Sequence, residues 1–197
     1  MGWLAILIAY LLGSISVSTL MVKAVKKVDI RNYGSGNAGA TNTLRLLGWK
    51  YGVLVLLLDA FKGVLAVWIA NLLGHGQPIY DYLSGLSVIL GHNWPLYFGF
   101  RGGKGIATTI GVFLCLLPLA TLISGFIAIV IIFMTRYVSL GAIVFVVLSP
   151  IFLALLSHKT GALLFASIAA VLAIIRHREN LIRLVQGRER KLFDHHA

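Results

Sequence analysis

Charge is scarce in this chain. Only 12% of its 197 residues are charged, while 59% are hydrophobic; a soluble domain carries about 25% charged and about 45–50% apolar residues. A soluble globular protein and a disordered tail are both excluded by that balance. Cysteine is nearly absent. Cys115 is the only one, so no disulfide scaffold exists, and its apolar surroundings suggest a small buried hydrophobe. Acidic residues are few as well, 6 against 17 Lys and Arg, for a net charge of +11. In a soluble chain such an excess would suggest nucleic acid. Here the cytoplasmic loops of a membrane protein explain it, because they are enriched in Lys and Arg, and no nucleic-acid partner is expected. An anionic substrate would favour the same excess.

What the chain has in abundance is long apolar runs. A membrane helix needs about 20 mostly apolar residues. Candidates are Trp3 to Val22, about Gly52 to Leu73, a weaker Tyr80 to Phe98, Ile106 to Met134, Val138 to Leu156 and Gly161 to Ile175. The first run has no charge before it and Lys23, Lys26 and Lys27 after it. That reverses the charge order of a secretory leader, so it is expected to be an uncleaved span. The run 106–134 is long for one span and short for two, with Pro118 near its middle, where proline breaks a helix. Counting Lys and Arg decides the number. Segment 23–50 holds six, 99–105 two, Arg136 and Lys159 one each, and 176–197 six. As one span, the two sides would carry nine and seven. As two spans, one side carries fifteen and the other Lys159 alone. The positive-inside rule selects the second arrangement. The expectation is an all-α polytopic bundle forming a single domain, 1–197, with seven transmembrane helices, the N-terminus outside and the C-terminus cytoplasmic. Asp59 and Lys62, three apart within the second span, can pair on one helical face. Asp194, His195 and His196 are given no role.

Three polar segments fall on the cytoplasmic side of this topology. The first, Tyr33 to Arg45, contains Gly34, Gly36 and Gly39 at G-x-G-x-x-G spacing. No strand precedes it, so a dinucleotide fold is rejected. Glycines nevertheless let backbone N–H groups converge on an anion, and a helix start adds a favourable dipole. Ser35, Asn37, Thr41 and Asn42 offer hydrogen bonds, and Arg45 a planar fork for phosphate oxygens. A glycine-rich turn before a capped helix would use the same residue types. The second segment joins His92 and Asn93 to Arg101, Gly102, Gly103, Lys104 and Gly105. It is not a Walker A loop, but it places a cation amid exposed backbone at a helix start, suiting a phosphate or an oxyanion. A basic interfacial turn is the plainer alternative. In the third, Arg176 to Glu189, helical spacing lets His177, Asn180 and Leu184 share a stripe and lets Arg176, Asn180 and Arg183 converge. A solvated basic tail would account for the charge alone. The histidines show no ligand spacing, so neither metal nor cofactor is expected.

These blocks, Gly34 to Arg45, Gly91 to Pro95 with Phe100 to Gly105, and Arg176 to Glu189, with Asp59, Lys62 and Gly63, resemble the bacterial membrane acyltransferases that use acyl-phosphate to acylate glycerol 3-phosphate, the PlsY family. The blocks stand in family order and, with the hydropathy, cover nearly the whole chain. The resemblance implies transfer of a fatty acyl group from acyl-phosphate to the 1-hydroxyl of sn-glycerol 3-phosphate. The products would be lysophosphatidic acid and inorganic phosphate, made at the cytoplasmic face of the bacterial inner membrane. The substrates and membrane lipid are the only partners implied, with no obligate protein partner evident. Lys104 and Ser35 would be catalytic with His177 and Asn180. Gly34, Gly36, Asn37, Thr41, Asn42, Arg45, His92, Gly102, Gly103, Gly105 and Arg183 would bind substrate. The proton acceptor stays open between His177 and a substrate phosphate. A transporter of organic phosphate and a structural protein that binds anionic lipid are the rival readings.

Overall fold

A computed structural model describes residues 1–157 and 159–192; Asp194, His195 and His196 lie outside the described residues. The regular elements among those residues are all helical. They form two compact units, Met1–Cys115 and Leu116–Ala197. The first carries α1 (Gly2–Gly13), α2 (Val17–Lys26), α3 (Ala40–Leu47), α4 (Trp49–Leu73), α5 (Pro78–Asn93) and α6 (Ile106–Leu116). The second carries α7 (Pro118–Thr135), α8 (Val138–Leu156), α9 (Thr160–Arg176) and α10 (Arg178–Val185).

Four stretches are long and apolar enough to cross a membrane: Gly2–Lys26, Trp49–Leu73, Pro118–Thr135 and Val138–Leu156. The pair α9 and α10, bent by 61°, makes a fifth if counted as one span. The long run divides at Leu117, and Pro118 opens α7, where its missing N–H leaves no helical bond unmade. Two expectations need correction. The third run stops at Asn93 rather than Phe98, because Pro95 pushes Trp94 out of the helical region. The first run is not one helix but two, interrupted between Gly13 and Val17. There the Ser14 hydroxyl donates to the Tyr10 carbonyl (2.9 Å) and accepts from the Leu96 amide (3.2 Å). Cys115 is also corrected: it is exposed on α6.

On α1 and α9 the inward faces are mostly small residues, with Phe165 an exception on α9, and most large ones point outward. Along α1 the buried positions are Gly2, Ala5, Ala9 and Gly13, spaced three or four apart on one face, while Trp3, Leu4 and Leu7 are exposed. The α9 helix repeats this with Ala162, Ala166, Ala169 and Ala173 inside and Leu164, Ile168 and Val171 outside. In lipid, large apolar side chains gain little from burial, and close backbone approach supplies the packing. A Cβ on Gly13 would meet the Val88 carbonyl of α5, and one on Gly91 the Tyr10 carbonyl of α1. Gly63 and Gly111 bring α4 and α6 together in the same way. Within the second unit α8 lies between α7 and α9. Ser124 of α7 and Ser149 of α8 share a buried hydrogen bond of 2.8 Å, so neither hydroxyl is left unpaired in an apolar core.

Candidate active site

The first polar segment is a loop wound around one side chain. Asn42, in the first turn of α3, is 1% exposed. Its Oδ1 accepts from the Ser35 amide (3.1 Å), and its Nδ2 donates to the carbonyls of Ile30 (3.3 Å), Tyr33 (3.0 Å) and Asn37 (3.2 Å). Asn42 was expected to contact phosphate directly; its amide is instead engaged in holding the loop's backbone. Gly34 and Gly36 both take left-handed φ, 59° and 69°, a conformation that costs a Cβ-bearing residue about 1–2 kcal/mol. Ser35 is exposed between them, with Asn37, Thr41 and Arg45 half-buried. Thr41 and Arg45 are one turn apart on α3, so they share a face. Gly39 is the N-cap of α3 and brings no side-chain cap, which leaves the first-turn N–H groups without the usual side-chain acceptor.

The second segment lies against the first. The Gly103 amide donates to the His92 carbonyl (3.1 Å). A Cβ on Gly103 would run into His92 Nε2 and would stand 2.6 Å from the Ala38 carbonyl of the first loop. Gly102 is equally confined by the carbonyls of His92 and Asn93. Gly105 takes φ 79° and directly precedes α6. Half-buried Lys104 sits between Gly103 and Gly105. A further clamp was not foreseen. Arg31 pairs with Asp29 (2.6 Å) and donates Nη1 to the Phe98 carbonyl (2.6 Å). The Arg31 guanidinium holds the Asp29 carboxyl below its ordinary range. Composition marked this part of the chain only as basic; no spacing rule links residues 31 and 98.

Asp59 and Lys62 pair at 2.8 Å on one face of α4, as their spacing suggested. They also reach His92, whose Nδ1 lies 3.0 Å from Lys62 Nζ and 3.6 Å from Asp59 Oδ1.

The third segment is built within the second unit. His177 stands at the joint between α9 and α10 and is 4% exposed. Its Nδ1 lies 2.8 Å from the Ala173 carbonyl. A carbonyl only accepts, so Nδ1 carries the proton, and when the ring is neutral its lone pair is on Nε2. Asn180 and Arg183 converge, as the helical spacing suggested, but on a residue given no role beforehand. Glu189 accepts from Asn180 Nδ2 (2.6 Å), Ser139 Oγ (2.7 Å) and Arg183 Nε (2.9 Å). Burial pushes the Glu189 carboxyl up, but these three donors outweigh it and hold the group below its ordinary range. Arg183 is therefore tied into this hub, and its Nη1 lies 3.8 Å from Glu179.

Apolar helices with small-residue contacts, carrying glycine-rich basic loops at their ends, define an integral-membrane protein. The comparisons narrow that class. A family model described as glycerol-3-phosphate acyltransferase matches residues 3–187. A glycerol-3-phosphate acyltransferase of Halalkalibacterium halodurans is 52% identical, covering 98% of this chain and 96% of that protein. One of Aquifex aeolicus is 43% identical, covering 94% and 96%. Among solved structures, the glycerol 3-phosphate form of the integral membrane acyltransferase PlsY is similar with a TM-score of 0.91. It is 42% identical, and the match covers 96% of this chain and 94% of that one. Its lysophosphatidic acid form gives a TM-score of 0.88 at 40% identity. The chain belongs to the glycerol-3-phosphate acyltransferase family.

Proposed function

We propose that this protein acylates the 1-hydroxyl of sn-glycerol 3-phosphate, with an acyl-phosphate as donor, to give lysophosphatidic acid and inorganic phosphate. The observation that carries the reading is the joined pair of glycine-rich loops, 34–39 and 102–105, on a fold shared with an enzyme solved with glycerol 3-phosphate. Both substrates carry phosphate, and two loops rich in backbone N–H groups suit two anions. Ser35, Asn37, Thr41 and Arg45, with the backbone at Gly34 and Gly36, receive phosphate on the first loop, and Asn42 keeps that loop in shape. Lys104, with the backbone at Gly102, Gly103 and Gly105, binds the acyl-phosphate and steadies the oxyanion. His92 flanks this loop. His177 and Asn180 orient the hydroxyls of glycerol 3-phosphate, with Arg183 beside them.

In the step itself the substrate oxygen attacks the acyl carbonyl carbon. A tetrahedral intermediate forms, and the bond from that carbon to the phosphate oxygen breaks. Acyl-phosphate is already activated, so the departing phosphate takes the hydroxyl proton and no strong acid is needed. The alternative acceptor is His177, whose Nε2 lone pair is favoured by the bond from Nδ1 to Ala173. Retention of about a tenth or more of turnover by His177→Gln speaks against an essential base there. The proposed setting is the bacterial inner membrane, with seven spans, the N-terminus outside and these loops cytoplasmic. The charge count supports it.

The test is phosphate release from palmitoyl-phosphate by purified protein, with and without glycerol 3-phosphate, beside Lys104→Ala. Release that needs glycerol 3-phosphate and falls by about a hundredfold or more in the variant is expected. No release from folded protein, with uptake of glycerol 3-phosphate into proteoliposomes, moves the reading to a transporter.

A further inference from the structure

In the first unit Asp59 and Lys62 have no part in the chemistry described so far, and they form a cluster with His92. Asp59, Lys62 and His92 are 1%, 4% and 7% exposed. Lys62 Nζ lies 2.8 Å from Asp59 Oδ1 and 3.0 Å from His92 Nδ1. It also donates to the carbonyls of Gly13 (3.1 Å) and Ile15 (3.0 Å), at the interruption between α1 and α2. Carbonyls at a helix end lack intrahelical partners, so the ammonium caps that break.

An ammonium carries three donors and no lone pair. Its neighbours must therefore be acceptors. Three hydrogens meet four acceptors: two go to the carbonyls, and the third is shared between Asp59 Oδ1 and Nδ1 of His92, which then presents its lone pair. The neutral imidazole consequently carries its proton on Nε2. That nitrogen faces the space a Cβ on Gly103 would occupy, while the His92 carbonyl accepts from the Gly103 amide. A single residue thus borders the glycine–lysine loop with its backbone and with a donor of fixed identity. Stability alone does not call for such a pair, because buried ion pairs are often replaced by apolar residues without loss.

We propose that Asp59 and Lys62 are positioning residues for acyl transfer: they fix His92 as the Nε2–H tautomer and so set the donor that borders the loop carrying Lys104. This rests on the reading that residues 102–105 receive phosphate. The pair acts through His92 and touches no substrate.

Two measurements test it. In protein labelled with 15N-histidine, the signal missing from His92→Gln identifies His92. The neutral Nε2–H tautomer is expected, and an Nδ1–H tautomer or an imidazolium overturns the proposal whatever the variants do. In the phosphate-release assay, Lys62→Met is expected to lower turnover on the order of tenfold or more, since small misplacements are costly. The loss should persist in Asp59→Asn/Lys62→Met, which removes both charges, while that double variant keeps a thermal midpoint near that of the parent. Recovery of turnover together with stability in the double variant overturns the positioning role and leaves a structural pair. Lys104→Ala runs alongside: full turnover there breaks the loop reading itself, a result distinguishable from failure of the tautomer.

Discussion

Two carboxylates organise this protein, and they do so differently. Asp59 lies within an apolar helix and faces one ammonium across 2.8 Å. Glu189 lies beyond the last helix and gathers Ser139, Asn180 and Arg183. The first is nearly sealed from solvent; the second is 8% exposed, but its partner Arg183 is 37% exposed. Where water is absent, a single full counter-charge answers the carboxylate. Where water is near, several polar donors share the task and each contributes modestly. Both hubs hold residues of the proposed site, yet their failure modes differ.

Asp59→Ala should show the contrast at its largest. It strands the Lys62 ammonium in the first unit, and loss of one partner of a buried pair costs about 3–5 kcal/mol. Chemical unfolding in detergent measures this, and a loss under about 1 kcal/mol would show that water reaches the pair. Glu189→Gln should cost less, about 1–3 kcal/mol, and its effect should depend on pH. The folded carboxyl titrates below its ordinary value of 4.5. Its contribution is therefore fully present above pH 4.5 and declines as pH falls through the lower folded value. The gap between parent and variant should close in acid; a gap that stays constant with pH would falsify the charged role. Smallest is Ser139→Ala, which removes one donor of three and should cost about 0.5–1.5 kcal/mol. If it matches Glu189→Gln, the hub acts as a single unit instead of a sum of partners.

The hubs also differ in how much of them the sequence reveals. Asp59 and Lys62 are three apart in an apolar run, and helical periodicity alone places them together. Their tie to His92 spans 30 residues and follows from helix packing, for which local periodicity has no signal. Glu189 could be suspected only from its company, since Ser139 is 50 residues away. The long elements follow from hydropathy: α8 matches its expected bounds, and Pro118 opens α7 as proline chemistry dictates. The interruption at Ser14 does not follow, because nothing local breaks that run. Its cause is tertiary, in the contacts of Ser14 with Leu96 and of Lys62 with the freed carbonyls. Likewise, the first loop's glycines are legible as a tight turn, but whether an asparagine such as Asn42 faces outward or braces the loop depends on where its amide points.

The alternation of small inside and large outside has a consequence for variation. Exposed positions such as Leu4, Leu7, Leu164 and Val171 can be exchanged among apolar residues with little cost, because no partner atom constrains them. Gly13, Gly63 and Gly111 cannot grow by even one methyl group without moving a helix. The tolerance map of a water-soluble protein is turned inside out: outward-facing bulky residues can drift, and the smallest side chains at the helix contacts are the ones that must stay.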